Sequence, residues 1–142
     1  RMAALLGRLE AWKAEDGLDV EVLGARDDGR ILGLEGPRSR CEARGIAAAD
    51  VVFVPLEDGD RCEALVAMGK QVLVVDLNPL SRTARTATVT MVDDVVRVAT
   101  ALRDLAVGEE QPSPNEAWDN AAVLQDALDG IVAHLTSKFR GA

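Results

Sequence analysis

Apolar residues Met2, Leu5, Leu6, Leu9 and Trp12 recur three and four positions apart, which predicts an amphipathic helix that stops at Asp16 and Gly17. Over residues 18–23 apolar and acidic residues alternate, the period of a strand. Residues 24–49 carry five glycines, five arginines and Pro37, and only residues 31–34 suggest a short extended piece within a loop-rich stretch. Residues 51–54 are then continuously apolar between Asp50 and Pro55, the pattern of a short strand buried on both faces of a parallel sheet. A helix follows with Cys62, Leu65, Val66 and Met68 apolar, ending at Gly69, and Asp60 and Glu63 have the spacing of a capping box. A second buried strand spans residues 71–75 and a third β-rich run spans 86–92. Asp93 and Asp94 then cap a helix to about residue 107, with Val95, Val96, Ala99, Leu102 and Leu105 as its apolar stripe.

Strands alternating with helices in this rhythm predict an open, mostly parallel α/β sheet whose ligands bind outside the C-terminal ends of the strands. A polar linker over residues 108–115, with two prolines, leads to a last helix. Its Trp118, Ala121, Leu124, Leu128, Ile131 and Leu135 form a stripe suited to a core or a dimer seam. The expected organisation is therefore one α/β domain over residues 1–110 and a C-terminal helical segment over residues 111–142. The chain opens at Arg1 directly into a helical pattern, with no capping segment before it, and reads as a piece of a longer protein.

Composition narrows the function classes. With 48% hydrophobic and 28% charged residues, 142 residues suit one compact domain and exclude a disordered tail or a collagen-like polymer. No apolar run reaches the roughly 20 residues that cross a bilayer, and no secretory signal opens the chain, so a soluble, cytoplasmic protein with no membrane partner is expected. Twenty-four acidic against 16 basic residues, net −8, argue against a nucleic-acid partner, since any bound anion must be met by a local cluster. Arginine outnumbers lysine 13 to 3, and a surface so acidic and lysine-poor suits concentrated salt, a halophile's protein. Cys41 and Cys62 lack metal-ligand spacing, His134 is the single histidine, and Cys62 is expected to be a buried small hydrophobe.

Three strand ends carry candidate chemistry. The segment after residue 75 delivers Asp76 and Asn78 to the crevice. Pro79 stops pairing there, and Ser81 can cap a turn bearing Arg82 and Arg85. An arginine fork and free N–H groups can hold phosphates while Asp76 or Asn78 bonds a ribose or base edge; a capped loop with a surface ion pair fits the same residues. Glu57, Asp58 and Asp60 place three carboxylates in four positions, enough to hold a magnesium ion or simply to start a helix against its dipole. Asp93 and Asp94 lie at the same sheet edge, where an N-cap role accounts for them equally.

Taken as blocks, residues 49–61, Glu63 to Val66, Met68 to Lys70, residues 75–85 and Val92 to Arg97 resemble the archaeal 4-phosphopantoate–β-alanine ligases, or phosphopantothenate synthetases. The resemblance covers most of the chain but only the C-terminal half or somewhat more of the family protein, so the family's N-terminal part is expected to lie outside it. It implies a Rossmann-like sheet in a homodimer. It also implies an ATP-dependent ligase that joins 4-phosphopantoate and β-alanine into 4'-phosphopantothenate, AMP and diphosphate for coenzyme A synthesis, with ATP and Mg2+. The family's nucleotide contacts fall here on Asp76, Leu77, Asn78, Arg82, Thr83, Asp94 and Val95, with Asp94 standing where the family usually has Asn. Asp58, Asp60 and Arg61 are the candidates for catalysis, Asp58 and Asp60 for orienting magnesium or the incoming amine. The alternative from another class is a non-catalytic nucleotide-binding or dimerisation module. A dehydrogenase is disfavoured because no GxGxxG follows a strand.

Overall fold

The structure, a computed structural model, describes residues 2–56, 58–108, 113 and 115–139. Arg1, Glu57 and most of the 108–115 linker lie outside the described residues. The chain forms two compact units, Arg1–Asp50 and Val51–Ala142.

The first unit opens with helix α1 (Met2–Glu15). Its apolar stripe is not packed away, and Met2, Leu5 and Trp12 stay exposed. Arg8 lies over the Trp12 ring, 5.2 Å from its centroid. The strand expected at residues 18–23 does not form. Alternation specifies which side chains share a face, but a strand also needs a hydrogen-bonding neighbour, and this segment has no ladder among the described residues. The extended piece falls two residues earlier than expected, as β1 (Gly29–Arg30), antiparallel to β2 (Arg40–Cys41). Gly29 is required there: a Cβ would sit 2.8 Å from the Ala43 Cα. Ile31 closes the small core, its N–H donating to the Ser39 carbonyl at 2.8 Å.

Glu42 pins this unit. Buried, it accepts from the N–H groups of Gly24 at 2.8 Å and Ala25 at 3.1 Å, and from the Arg26 guanidinium at 2.8–2.9 Å. The Gly24 N–H bond and then the Arg26 side chain hold its carboxyl down to about 2, against an ordinary 4.5.

The second unit is a three-stranded parallel sheet, β3 (Val51–Val54), β4 (Gln71–Val75) and β5 (Val89–Met91), in that order. Helix α2 (Gly59–Ala67) connects β3 to β4, and α3 (Arg82–Thr86) connects β4 to β5. Next come α4 (Val95–Val107) and α5 (Asn120–Phe139). Helix α2 packs on α3 and β4, α3 on β4 and β5, and α5 on α3 and β5. The open α/β sheet with flanking helices and a C-terminal helix is thus present.

The core lies between sheet and helices, with Cys62, Leu65, Val72 and Val74 fully buried. Full burial of a side chain such as Leu65 contributes about 1.5–3 kcal/mol over an exposed position. Strand β3 is not buried on both faces: Val52 faces the helices, whereas Val51 is 54% and Phe53 46% exposed. Helices α2, α3 and α5 are contiguous with one another and pack on β4 and β5. Helix α4 likewise buries only Val98 and leaves Val96, Leu102 and Leu105 exposed. Helix α5 buries Leu124 but not Ile131 or Leu135.

Candidate functional site

The C-terminal ends of β3, β4 and β5 open on a cavity of about 440 Å³. Pro55 and Leu56 line it after β3, Val75, Asp76, Leu77 and Asn78 after β4, and Asp93, Asp94 and Val95 after β5. Parallel strands put these three loops at one edge, the usual ligand position of such sheets. Six residues singled out from the sequence, Asp76, Leu77, Asn78, Asp93, Asp94 and Val95, are therefore brought together. Pro55 and Leu56 add an apolar wall that sequence reasoning did not single out.

Asp76 organises the loop after β4. It is buried, its Oδ1 accepts from the Asn78 N–H at 2.9 Å, and its Oδ2 accepts from the Ser81 hydroxyl. The Asn78 Oδ1 in turn accepts from the Leu80 N–H at 3.0 Å. These are the side-chain turns that Asp and Asn favour over ladder bonding. Ser81 caps α3 as expected, its Oγ accepting from the Ala84 N–H at 2.9 Å. That N–H is thus already engaged within the loop.

Asp94 is the N-cap of α4, its Oδ1 accepting from the Val96 N–H at 2.9 Å and the Arg97 N–H at 3.4 Å. An asparagine would cap through the same oxygen, so the Asp adds charge to the cavity wall without changing the cap. Beside it, the Asp93 carboxylate accepts from the Arg97 side chain, with Nε at 2.6 Å, and from the Asp94 N–H at 2.6 Å. Arg97, more than that N–H, holds the Asp93 carboxyl below the usual carboxylate range.

The remaining predicted residues lie outside the cavity lining. Asp58 caps α2, its Oδ1 accepting from the Arg61 N–H at 3.2 Å; the cap sits two residues earlier than the Asp60 and Glu63 spacing predicts. Arg61 stands 3.9 Å from the Asp58 carboxylate through its Nε. Arg82 reaches from α3 to the start of α2, where its Nη2 donates to Asp60 Oδ1 and its Nη1 lies 3.7 Å from Glu63. Thr83 is buried behind the loop, its carbonyl accepting from Ala87. Among the described residues, no group of three or more His, Cys, Asp or Glu gathers to hold a metal ion. Asp58 and Asp60 are turned to an N–H and a guanidinium.

Sequence reasoning also missed Asn120, at the start of α5. Its Nδ2 donates to the carbonyls of Ala84 at 2.9 Å and Ala87 at 3.2 Å, and its Oδ1 accepts from the Thr90 N–H at 2.7 Å. A single amide before an apolar stripe carries no local sign of such a role.

The cavity is acid-lined and partly apolar. It suits the neutral, hydrogen-bond-donating part of a ligand, hydroxyls and exocyclic amines against an apolar floor, and is ill suited to a polyanion. Arg82, at the start of α3, is a cation that could meet negative charge.

Residues 4–134 match the family model described as phosphopantothenate/pantothenate synthetase. A 4-phosphopantoate–β-alanine ligase of Thermococcus onnurineus is 46% identical over 129 residues, 87% of this chain and 49% of the relative. That of Thermococcus kodakarensis is 48% identical over 124 residues, 83% of this chain and 48% of the relative. That of Methanosarcina mazei is 44% identical over 122 residues, 82% and 48% respectively. The chain spans about half the length of these relatives. The chain belongs to the phosphopantothenate/pantothenate synthetase family.

Proposed function

We propose that this chain is the nucleotide-binding portion of a ligase that joins 4-phosphopantoate and β-alanine, with ATP and Mg2+, to give 4'-phosphopantothenate, AMP and diphosphate in coenzyme A synthesis. The observation that carries the reading is the cavity at the strand ends, lined by Asp76, Leu77, Asn78, Asp94 and Val95, in a chain of this family.

In this reading adenosine enters the cavity, with its base against Leu77, Val95 and Leu56 and its ribose hydroxyls or amino group donating to Asp76 or Asp94. Arg82 faces the phosphates, while Thr83, buried in the first turn of α3, supports Arg82 from beneath. The substrate carboxylate attacks the α-phosphorus of ATP and diphosphate leaves. The β-alanine amine then attacks the acyl carbonyl, the amide forms, a proton leaves the nitrogen and AMP departs. A guanidinium aimed at the leaving diphosphate lowers that barrier because it meets charge as it develops. Magnesium would travel on the phosphates, since Asp58 and Asp60 are already engaged; no step is assigned to an ion held by them, and Arg61 serves the same helix start. The homodimer and the cytoplasmic location belong to this same reading.

The test is equilibrium binding of ATP with magnesium in high salt, for the parent chain beside Asp76→Ala and Arg82→Ala. Loss in both variants supports the nucleotide reading, and unchanged affinity in both overturns it. Binding without turnover, even with the rest of the family protein supplied, would favour the non-catalytic module.

A further inference from the structure

Arg82 is held in a way that its own helix does not require. Helix α3 is one turn long and is already capped by Ser81, and Thr83 and Ala84 supply its buried contacts. The Arg82 side chain nevertheless crosses to α2, where Asp60 in the first turn accepts from Nη2 and Glu63, one turn on, lies beside Nη1. Against the guanidinium lies Gly59. A Cβ built at that position would stand 2.8 Å from the Arg82 Nε and 3.1 Å from its Nη2, so the guanidinium lies close against the helix start and would have to shift to admit a larger residue. Asp60 sits in the first turn of α2, at the positive end of its dipole, which favours the carboxylate there and would otherwise repel Arg82. A guanidinium carries five N–H donors, so two carboxylates on Nη1 and Nη2 do not exhaust it.

We propose that Asp60 and Glu63 are positioning residues that clamp the Arg82 guanidinium over Gly59, so that it meets a nucleotide's phosphates with little ordering left to do. The proposal rests on the reading in which Arg82 serves those phosphates. It changes the expected role of Asp60 from metal ligand to holder of a cation. It also sets the sign of a measurement. A carboxylate acting only as a nearby negative charge repels phosphate, so its removal would tighten nucleotide binding; a clamp does the reverse, because preorganisation lowers the ordering cost.

The experiment uses the full chain and two readouts. In 15N-labelled protein without nucleotide, the Arg82 Nε–H resonance, identified by its loss in Arg82→Lys, should shift and narrow towards that of a free side chain in Asp60→Asn and in Gly59→Ala. It should return in Asp60→Glu. With ATP and magnesium, Asp60→Asn should weaken affinity about threefold to fivefold in the parent and have no effect on top of Arg82→Ala, the coupling expected of a pair that acts as a unit. Tighter binding in Asp60→Asn, an equal effect in both backgrounds, or an Arg82 resonance indifferent to Asp60→Asn overturns the clamp. If Arg82→Ala leaves ATP affinity unchanged while the resonance responds to Asp60→Asn, the clamp exists and the nucleotide role of Arg82 is what fails.

Discussion

Glu42 and Arg26 lie 16 residues apart and form a two-pronged pair: Oε1 of the glutamate accepts from both Nε and Nη2, at 2.9 and 2.8 Å. Its other oxygen takes the N–H groups of Gly24 and Ala25, so one carboxylate closes a loop that has two-residue strands and little else to order it. The charged form is the one bonded, and the folded value is depressed. The stability it contributes is therefore present above the ordinary 4.5 and is lost as pH falls towards about 2. Acid titration of the first unit, followed through Trp12 fluorescence, should show this transition, and Glu42→Gln should lower stability at neutral pH and remove the pH dependence in that window. A Glu42→Gln protein with the parent's acid transition would contradict the assignment.

Asp94 caps α4 through an oxygen that asparagine also carries. Asp94→Asn should leave the thermal midpoint nearly unchanged, whereas Asp94→Ala should cost about 1 kcal/mol. Denaturant melts of the three proteins decide it. Equal losses for Asn and Ala would mean that the charge, not the cap, matters.

Asn120 replaces three separate partners with one side chain. Asn120→Ala leaves the Thr90 N–H without its acceptor and should cost about 2 kcal/mol. Amide exchange at Thr90 should rise with it, since β5 loses its tie to α5. Unchanged exchange at Thr90 would show that the amide is incidental.

The two thiols differ in reach and in acidity. Cys62 is fully buried, and burial pushes its thiol up, so little nucleophilic thiolate exists there; Cys41 is half-buried. A maleimide should label Cys41 in the native protein, and Cys62 only once denaturant is added. Native labelling of both at similar rates would show that the second unit opens readily.

The sequence by itself determined the elements whose signals are local. Residues 51–54 and 71–75 are strands because apolar runs sit between turn formers, and α2, α4 and α5 follow from helical periodicity. Ser81 and Asp94 announce their caps in the same way. Five of the seven residues placed by the family resemblance share the strand-end cavity because parallel strands with helical crossovers deliver their loops to one edge. What required the tertiary structure are the choices that depend on a partner far along the chain. Residues 18–23 alternate yet find no neighbouring strand. Residues 51–54 are apolar, yet only Val52 is buried while Val51 and Phe53 stay exposed. Asp60 carries no sign in the sequence that α3 brings Arg82, 22 residues on, to meet it. Periodicity and capping act over a turn or two of chain, whereas ion pairs and sheet faces are settled by packing between segments whose separation in sequence carries no sign of their contact.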